Sequence, residues 1–174
     1  KQLWKGKPLD SIWRDTDEAR VTLHLGRTAK TLDLDKKQVQ DDQGTVYHYD
    51  KLLLATGGTP RRLPFGGDDI LYYRYLTGYR HLRELTEQHQ HFAVIGSGFI
   101  GSEIAAALAM NGKQVTMVFP GAYIGERLYP LDLAAFVTDY YRQKGVQVLA
   151  GEEIVGLSKN DHQMHLQTKA GQSI

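Results

Sequence analysis

The chain has 174 residues, 41% of them hydrophobic, enough to bury a core in one domain or in two small ones. Its 21 basic and 20 acidic residues are interspersed and leave a formal charge of +1, so no electrostatic footprint for nucleic acid or an anionic membrane is present. Cysteine is absent, which excludes a redox-active disulfide or a Cys-ligated metal centre in this span. In chain order, residues 20–25, 31–34 and 45–47 alternate apolar and polar side chains between polar turns such as 41–44, the pattern of short antiparallel strands. Residues 51–55 are apolar on both faces and run into Thr56-Gly57-Gly58-Thr59-Pro60, which predicts a buried strand ending in a loop. Gly66-Gly67-Asp68-Asp69 reads as a connection, and leucines at 82 and 85 among polar neighbours predict an amphipathic helix over 77–90.

Beyond residue 90 the pattern changes to alternation. It predicts a strand at 92–95, a helix at 98–110 stopped by Asn111-Gly112, a strand at 114–119, a helix at 131–144 stopped by Gly145, and a strand at 146–149. Strands separated by helices of this length imply a parallel sheet with right-handed crossovers. Residues 153–174 return to short alternating segments, a small meander. The change in character near residue 72 divides the chain into expected domains 1–72 and 73–174. No apolar run approaches the roughly 18 residues of a spanning helix, and residues 1–7 do not read as a signal peptide, so a cytoplasmic protein with no membrane partner is expected.

The most informative segment is Gly96-Ser97-Gly98-Phe99-Ile100-Gly101, set between an apolar strand and a helix. In that context a G-x-G-x-x-G pattern indicates a dinucleotide site. Gly96 allows the tight turn, Gly98 lets the main chain approach a pyrophosphate with no β-carbon in the way, and Gly101 lets the helix pack close to the strand. The free N–H groups at the helix start then receive the phosphate charge.

Four segments carry a family resemblance: residues 49–61, containing Ala55-Thr56-Gly57; residues 92–103, containing the glycine turn; residues 115–120; and residues 144–148. In this order the chain resembles the FAD-dependent pyridine-nucleotide oxidoreductases, and within them the ferredoxin- and rubredoxin-reductase branch and the apoptosis-inducing-factor-like branch. The resemblance implies an α/β fold: a Rossmann-like NAD(P)H-binding domain, with a parallel sheet, flanking helices and a small antiparallel meander, beside a partial FAD-domain segment of short antiparallel strands. It implies an enzyme that passes hydride from NADH or NADPH to FAD and electrons on to an iron–sulfur protein of ferredoxin or rubredoxin type, a quinone or oxygen. The alternative it allows is an NAD(H)-responsive interaction module with little turnover. The separate glycine turn for FAD that such proteins carry is not in this span, so the expectation is a piece of a longer flavoprotein, inactive by itself. The oligomeric state is left open.

Site roles follow from the resemblance. Thr56 and Gly57 match a motif near the flavin and the crossover between domains, although a plain strand-end turn has the same residues. Arg61 matches an arginine near the flavin phosphates and reads equally as a solvated side chain. Phe99 matches a residue that covers the flavin, and Glu103 a glutamate beside the nicotinamide; these two are the candidate catalytic residues. Packing explains an aromatic at a helix start just as well, and a carboxylate there complements the helix dipole without any function. Ser97 and Ile100 complete the nucleotide turn.

One position departs from the pattern. An acidic residue about 20 positions beyond the glycines accepts hydrogen bonds from the adenosine ribose in NAD-binding units. Here that count falls on Phe119, followed by Pro120, and neither side chain can accept them. Glu126 and Arg127, a few residues on, could each reach the ribose. The glutamate would favour NADH and the arginine a 2′-phosphate, so the choice stays open, as does a solvated pair. Other signals are set aside: Tyr140-x-x-x-Lys144 stands at the wrong spacing for a short-chain dehydrogenase pair, His89, His91, His162 and His165 read as surface histidines, and the tyrosines at 72, 73, 75 and 79 read as packing.

Overall fold

The computed structural model describes residues 3–12, 20–160 and 163–174, so His162 lies outside the described residues. The chain forms two compact units, one spanning Gly6–Gly58 and the other Thr59–Ile174 together with Leu3–Lys5. The division at Gly58 comes earlier in the chain than the change of sequence character near residue 72.

The first unit is built on a three-stranded antiparallel sheet of β1 (Ala29–Asp33), β2 (Gln38–Asp41) and β3 (Val46–His48), in that order. Leu32 pairs with Val39, and Val39 with Tyr47, so apolar side chains stack across the strands. The buried carboxylate of Asp41 organises the β2–β3 turn. It accepts the N–H groups of Gln43 at 2.9 Å and Thr45 at 2.8 Å and the Tyr47 hydroxyl at 2.9 Å, and it pairs with Arg27 at 3.1 Å. Burial pushes this carboxyl up, yet the Thr45, Tyr47 and Gln43 donors and the Arg27 charge hold it below its ordinary range.

Two expected strands are absent. Residues 20–25 and 51–55 have no regular structure, and Leu53 and Leu54 are 87% and 66% exposed. A strand exists only when another strand takes up its hydrogen bonds, and neither segment pairs with one among the described residues. The run 51–55, apolar on both faces, would need cover on both.

The second unit follows the expected alternation closely. After α1 (Leu76–Gln88) come β4 (His91–Ile95), α2 (Phe99–Met110), β5 (Gln114–Phe119), α3 (Leu131–Gln143) and β6 (Gln147–Ala150). The three strands form a parallel sheet ordered β4-β5-β6, with Val94 opposite Met117 and Met117 opposite Val148. The hairpin of β7 (Ile154–Asn160) and β8 (Gln163–Thr168) follows. The period-two alternation of β5 assigns its faces. Val115, Met117 and Phe119 pack with Leu82, Ala105 and Leu108 from the helices, whereas Val118 packs with Ile154 and Leu166 of the hairpin. The sheet is therefore the middle of three layers, helices on one side and meander on the other. No helix among the described residues is long and apolar enough to cross a membrane.

Candidate functional site

The site begins where β4 ends. Gly96 has φ +113°, a conformation that side chains rarely adopt, and its N–H still donates to the Val118 carbonyl at 2.9 Å, extending the β4–β5 ladder by one bond. The chain then turns through Ser97 into α2, with extended Gly98 as N-cap and no side chain capping the helix. The N–H groups of the first turn are left to solvent or a ligand. A β-carbon on Gly101 would collide with the Gly96 carbonyl oxygen, so the absence of a side chain there lets α2 close against the strand. Gly98 is the opposite case: a β-carbon would meet nothing within 4 Å. The bend thus presents open main chain at Gly98 beside an uncapped helix start, a shape and polarity suited to a diphosphate.

A cleft of about 330 Å³ lies beside this bend, lined by Phe99, Ile100, Glu103 and Ile104 of α2 and by Trp4, Tyr73 and Arg74. Phe99 is 59% exposed, its ring edge-on to Tyr129 at 6.1 Å, so it is not a buried packing residue. Ser102 tethers the first turn, its hydroxyl donating to the carbonyls of Gly98 at 3.0 Å and Phe99 at 3.1 Å. From α3, the Tyr141 hydroxyl donates to the Ser102 carbonyl at 3.0 Å. Burial raises the Tyr141 phenol above its ordinary value, and the negative charge of Glu103 adds to this.

The loop after β5 closes the other side. The Gly125 N–H donates to the Ser97 carbonyl at 2.9 Å, and Gly125 has φ +70° with the Tyr129 ring where a β-carbon would sit. The Ile124 side chain is fully buried, and its N–H donates to the buried Thr138 hydroxyl at 2.8 Å, which donates in turn to the Ala134 carbonyl. The loop is thereby fastened to both the glycine bend and α3. Within it the Glu126 carboxylate accepts the N–H groups of Ala122 at 2.7 Å and Tyr123 at 3.4 Å. Arg127 is exposed, with no ion pair among the described residues.

The structure therefore brings together Gly96, Ser97, Gly98, Phe99, Ile100, Gly101 and Glu103, and adds the loop carrying Glu126 and Arg127. Phe119 stands apart from them. It is 1% exposed and belongs to the helix-side core, so its side chain is committed to packing and cannot face a ribose; Pro120, the next residue, is exposed. Thr56 and Gly57 lie in the first unit, in exposed irregular chain, and Arg61 in an exposed loop of the second. Tyr73, Arg74, Trp4 and Tyr129 were not legible as site residues, because nothing in their spacing distinguishes aromatic packing from the wall of a cleft. No group of three or more metal-ligating side chains occurs among the described residues.

A strand–glycine bend–helix unit with an open Gly98, set at the carboxyl end of a parallel sheet, has the form of the dinucleotide-binding α/β domains. The profile of the pyridine nucleotide-disulphide oxidoreductases matches residues 7–174. Monodehydroascorbate reductase 3 of Arabidopsis thaliana is 35% identical over 152 residues, 82% of this chain and 34% of that protein. Apoptosis-inducing factor 1, mitochondrial, of Dictyostelium discoideum is 32% identical over 171 residues, 90% of this chain and 32% of that protein. Among solved structures, the covalent putidaredoxin reductase–putidaredoxin complex is similar at a TM-score of 0.85 and 26% identity, over 99% of this chain and 45% of that one. The chain belongs to the pyridine nucleotide-disulphide oxidoreductase family, and it spans about a third of the length of the curated relatives it matches. Members of this family bind FAD and NAD(P)H. The open bend fits the dinucleotide, since Gly98 offers bare main chain where a diphosphate would lie.

Proposed function

We propose that this chain is the NAD(P)H-binding part of a flavoprotein reductase that serves an iron–sulfur protein or a similar electron acceptor. When bound, the nicotinamide supplies a hydride and the flavin accepts it; the protein contributes position and electrostatics. The N–H groups that open α2 hold the diphosphate, and Gly98 lets it come within hydrogen-bond reach. Phe99 and Ile100 form an apolar wall on which a flat ring can lie while water is kept away. Glu103, one turn on in the same cleft, offers a carboxylate to an amide N–H. The similarity to a reductase solved in covalent complex with putidaredoxin supports an iron–sulfur acceptor.

The observation that carries the reading is the contrast within one bend: Gly101 is closed against Gly96, and Gly98 is open. Gly98 has φ −75° and ψ −176°, which valine adopts without strain, so Gly98→Val fills only the open side and leaves the fold intact. Titration calorimetry of this variant with NADH and NADPH should show affinity reduced at least about tenfold, because lost charge-assisted hydrogen bonds to a phosphate carry that much. Unchanged affinity in a variant with native circular dichroism refutes the site.

A further inference from the structure

The residue that reads the ribose is missing from its usual place. The end of β5 carries Phe119, whose side chain is buried, and then Pro120, which has no acidic group. The structure nevertheless puts a carboxylate at this strand end. Seven residues of the loop fold back so that Glu126 lies across Gly121: a β-carbon on Gly121 would sit 2.6 Å from the Glu126 Cδ and closer still to its Oε1. Glu126 thus fills the space that a side chain at position 121 would occupy.

Both ends of this arrangement are fastened. The Gly121 carbonyl accepts the Gly151 N–H at 2.8 Å, and the Phe119 carbonyl accepts the Glu152 N–H at 3.1 Å, which binds the end of β5 to the turn after β6. On the other side, the Ala122 and Tyr123 N–H groups both donate to Oε2 of Glu126. The bond from Gly125 to the Ser97 carbonyl sets the same loop against the glycine bend. A carboxylate held by main-chain donors through one oxygen has the other available as an acceptor.

We infer that Glu126, delivered from the loop to the end of β5, is the carboxylate that accepts the adenosine ribose hydroxyls, and that the chain accordingly selects NADH over NADPH. The inference rests on the reading of the glycine bend as a dinucleotide site. A carboxylate at hydrogen-bond distance from the 2′-hydroxyl repels a 2′-phosphate in the same place. Arg127 is the neighbouring positive charge. Its side chain is exposed and no bond fixes it at the strand end among the described residues, whereas Glu126 is held there by two.

The test compares NADH and NADPH affinity by titration calorimetry in the protein and in four variants, Gly98→Val among them. The unaltered protein should bind NADH about tenfold or more tightly than NADPH. Glu126→Gln keeps the volume and an oxygen for the Ala122 N–H but removes the charge, so the ratio of the two affinities should fall about tenfold. Gly121→Ala is a second, independent route. Gly121 does not have a positive φ, and the three atoms nearest its β-carbon all belong to the flexible end of Glu126, so alanine displaces the carboxylate without straining the main chain. The same fall in ratio is expected from it. Arg127→Ala should leave the preference for NADH in place. The inference is overturned if the unaltered protein prefers NADPH, or if Glu126→Gln changes both affinities equally or neither. If Gly98→Val abolishes binding while Glu126→Gln keeps the ratio, the ribose assignment fails and the dinucleotide site stands; if neither nucleotide binds the unaltered protein, the reading of the site itself fails.

Discussion

Two glycines of one bend answer to different demands, and substitution separates them. Gly98 has open space where its side chain would be; Gly101 has the Gly96 carbonyl there, main chain that cannot swing aside. Gly101→Ala must push α2 away from β4, and overpacking of this kind costs about 1–3 kcal/mol. Urea denaturation should therefore show a lowered midpoint for Gly101→Ala and an unchanged one for Gly98→Val, with nucleotide affinity suffering in both. Equal midpoints for Gly101→Ala and the unaltered protein contradict the close packing. The turn at Gly96 and the close approach at Gly101 were legible in the sequence because each follows from a local steric requirement. The location of Glu126 was not. It depends on a loop returning to Gly121, and sequence separation says nothing about such a return, so Glu126 and Arg127 looked equivalent until the fold placed them.

At the scale of elements, the loop after β5 has no hydrogen-bond ladder of its own and is held by single bonds to its neighbours. The buried link is Thr138 on α3, whose hydroxyl accepts the Ile124 N–H and donates to the Ala134 carbonyl, both at 2.8 Å. Thr138→Val keeps the shape and leaves the Ile124 N–H buried without a partner, at a cost of about 1–3 kcal/mol. The variant should lose that stability in urea denaturation and also bind NADH more weakly, since the loop carrying Glu126 loses its anchor on α3. Full stability would show that the loop does not depend on this bond. The alternation from β4 to β6 was legible because each element carries its own periodicity and its own stop, such as Asn111-Gly112 and Gly145. Residues 20–25 and 51–55 have comparable patterns, yet a strand is a relation between two segments, and neither finds its partner among the described residues. The expected buried strand 51–55 shows the limit most clearly: its apolarity on both faces describes what it needs around it, not what it has.

At the scale of the molecule, the residues proposed to hold the dinucleotide all belong to the unit Thr59–Ile174, and the sheet β1–β3 to the other. A ligand that binds only the folded state stabilises what it touches by RT ln(1 + [L]/Kd), about 2.7 kcal/mol at a hundredfold excess over Kd. The stabilisation appears in amide exchange as slower opening, and it is confined to segments whose opening would release the ligand. NADH at that excess should therefore slow exchange in the segments that form the bend and the fastened loop, residues 95–103 and 121–129, and through the shared ladder in β5. Residues 29–48 should exchange at their unliganded rates. Mass spectrometry of peptides from the two regions, with and without NADH, makes the comparison within one sample. Equal slowing in the sheet β1–β3 would mean that the first unit contributes to holding the nucleotide, and the site would then have to be redrawn to include it.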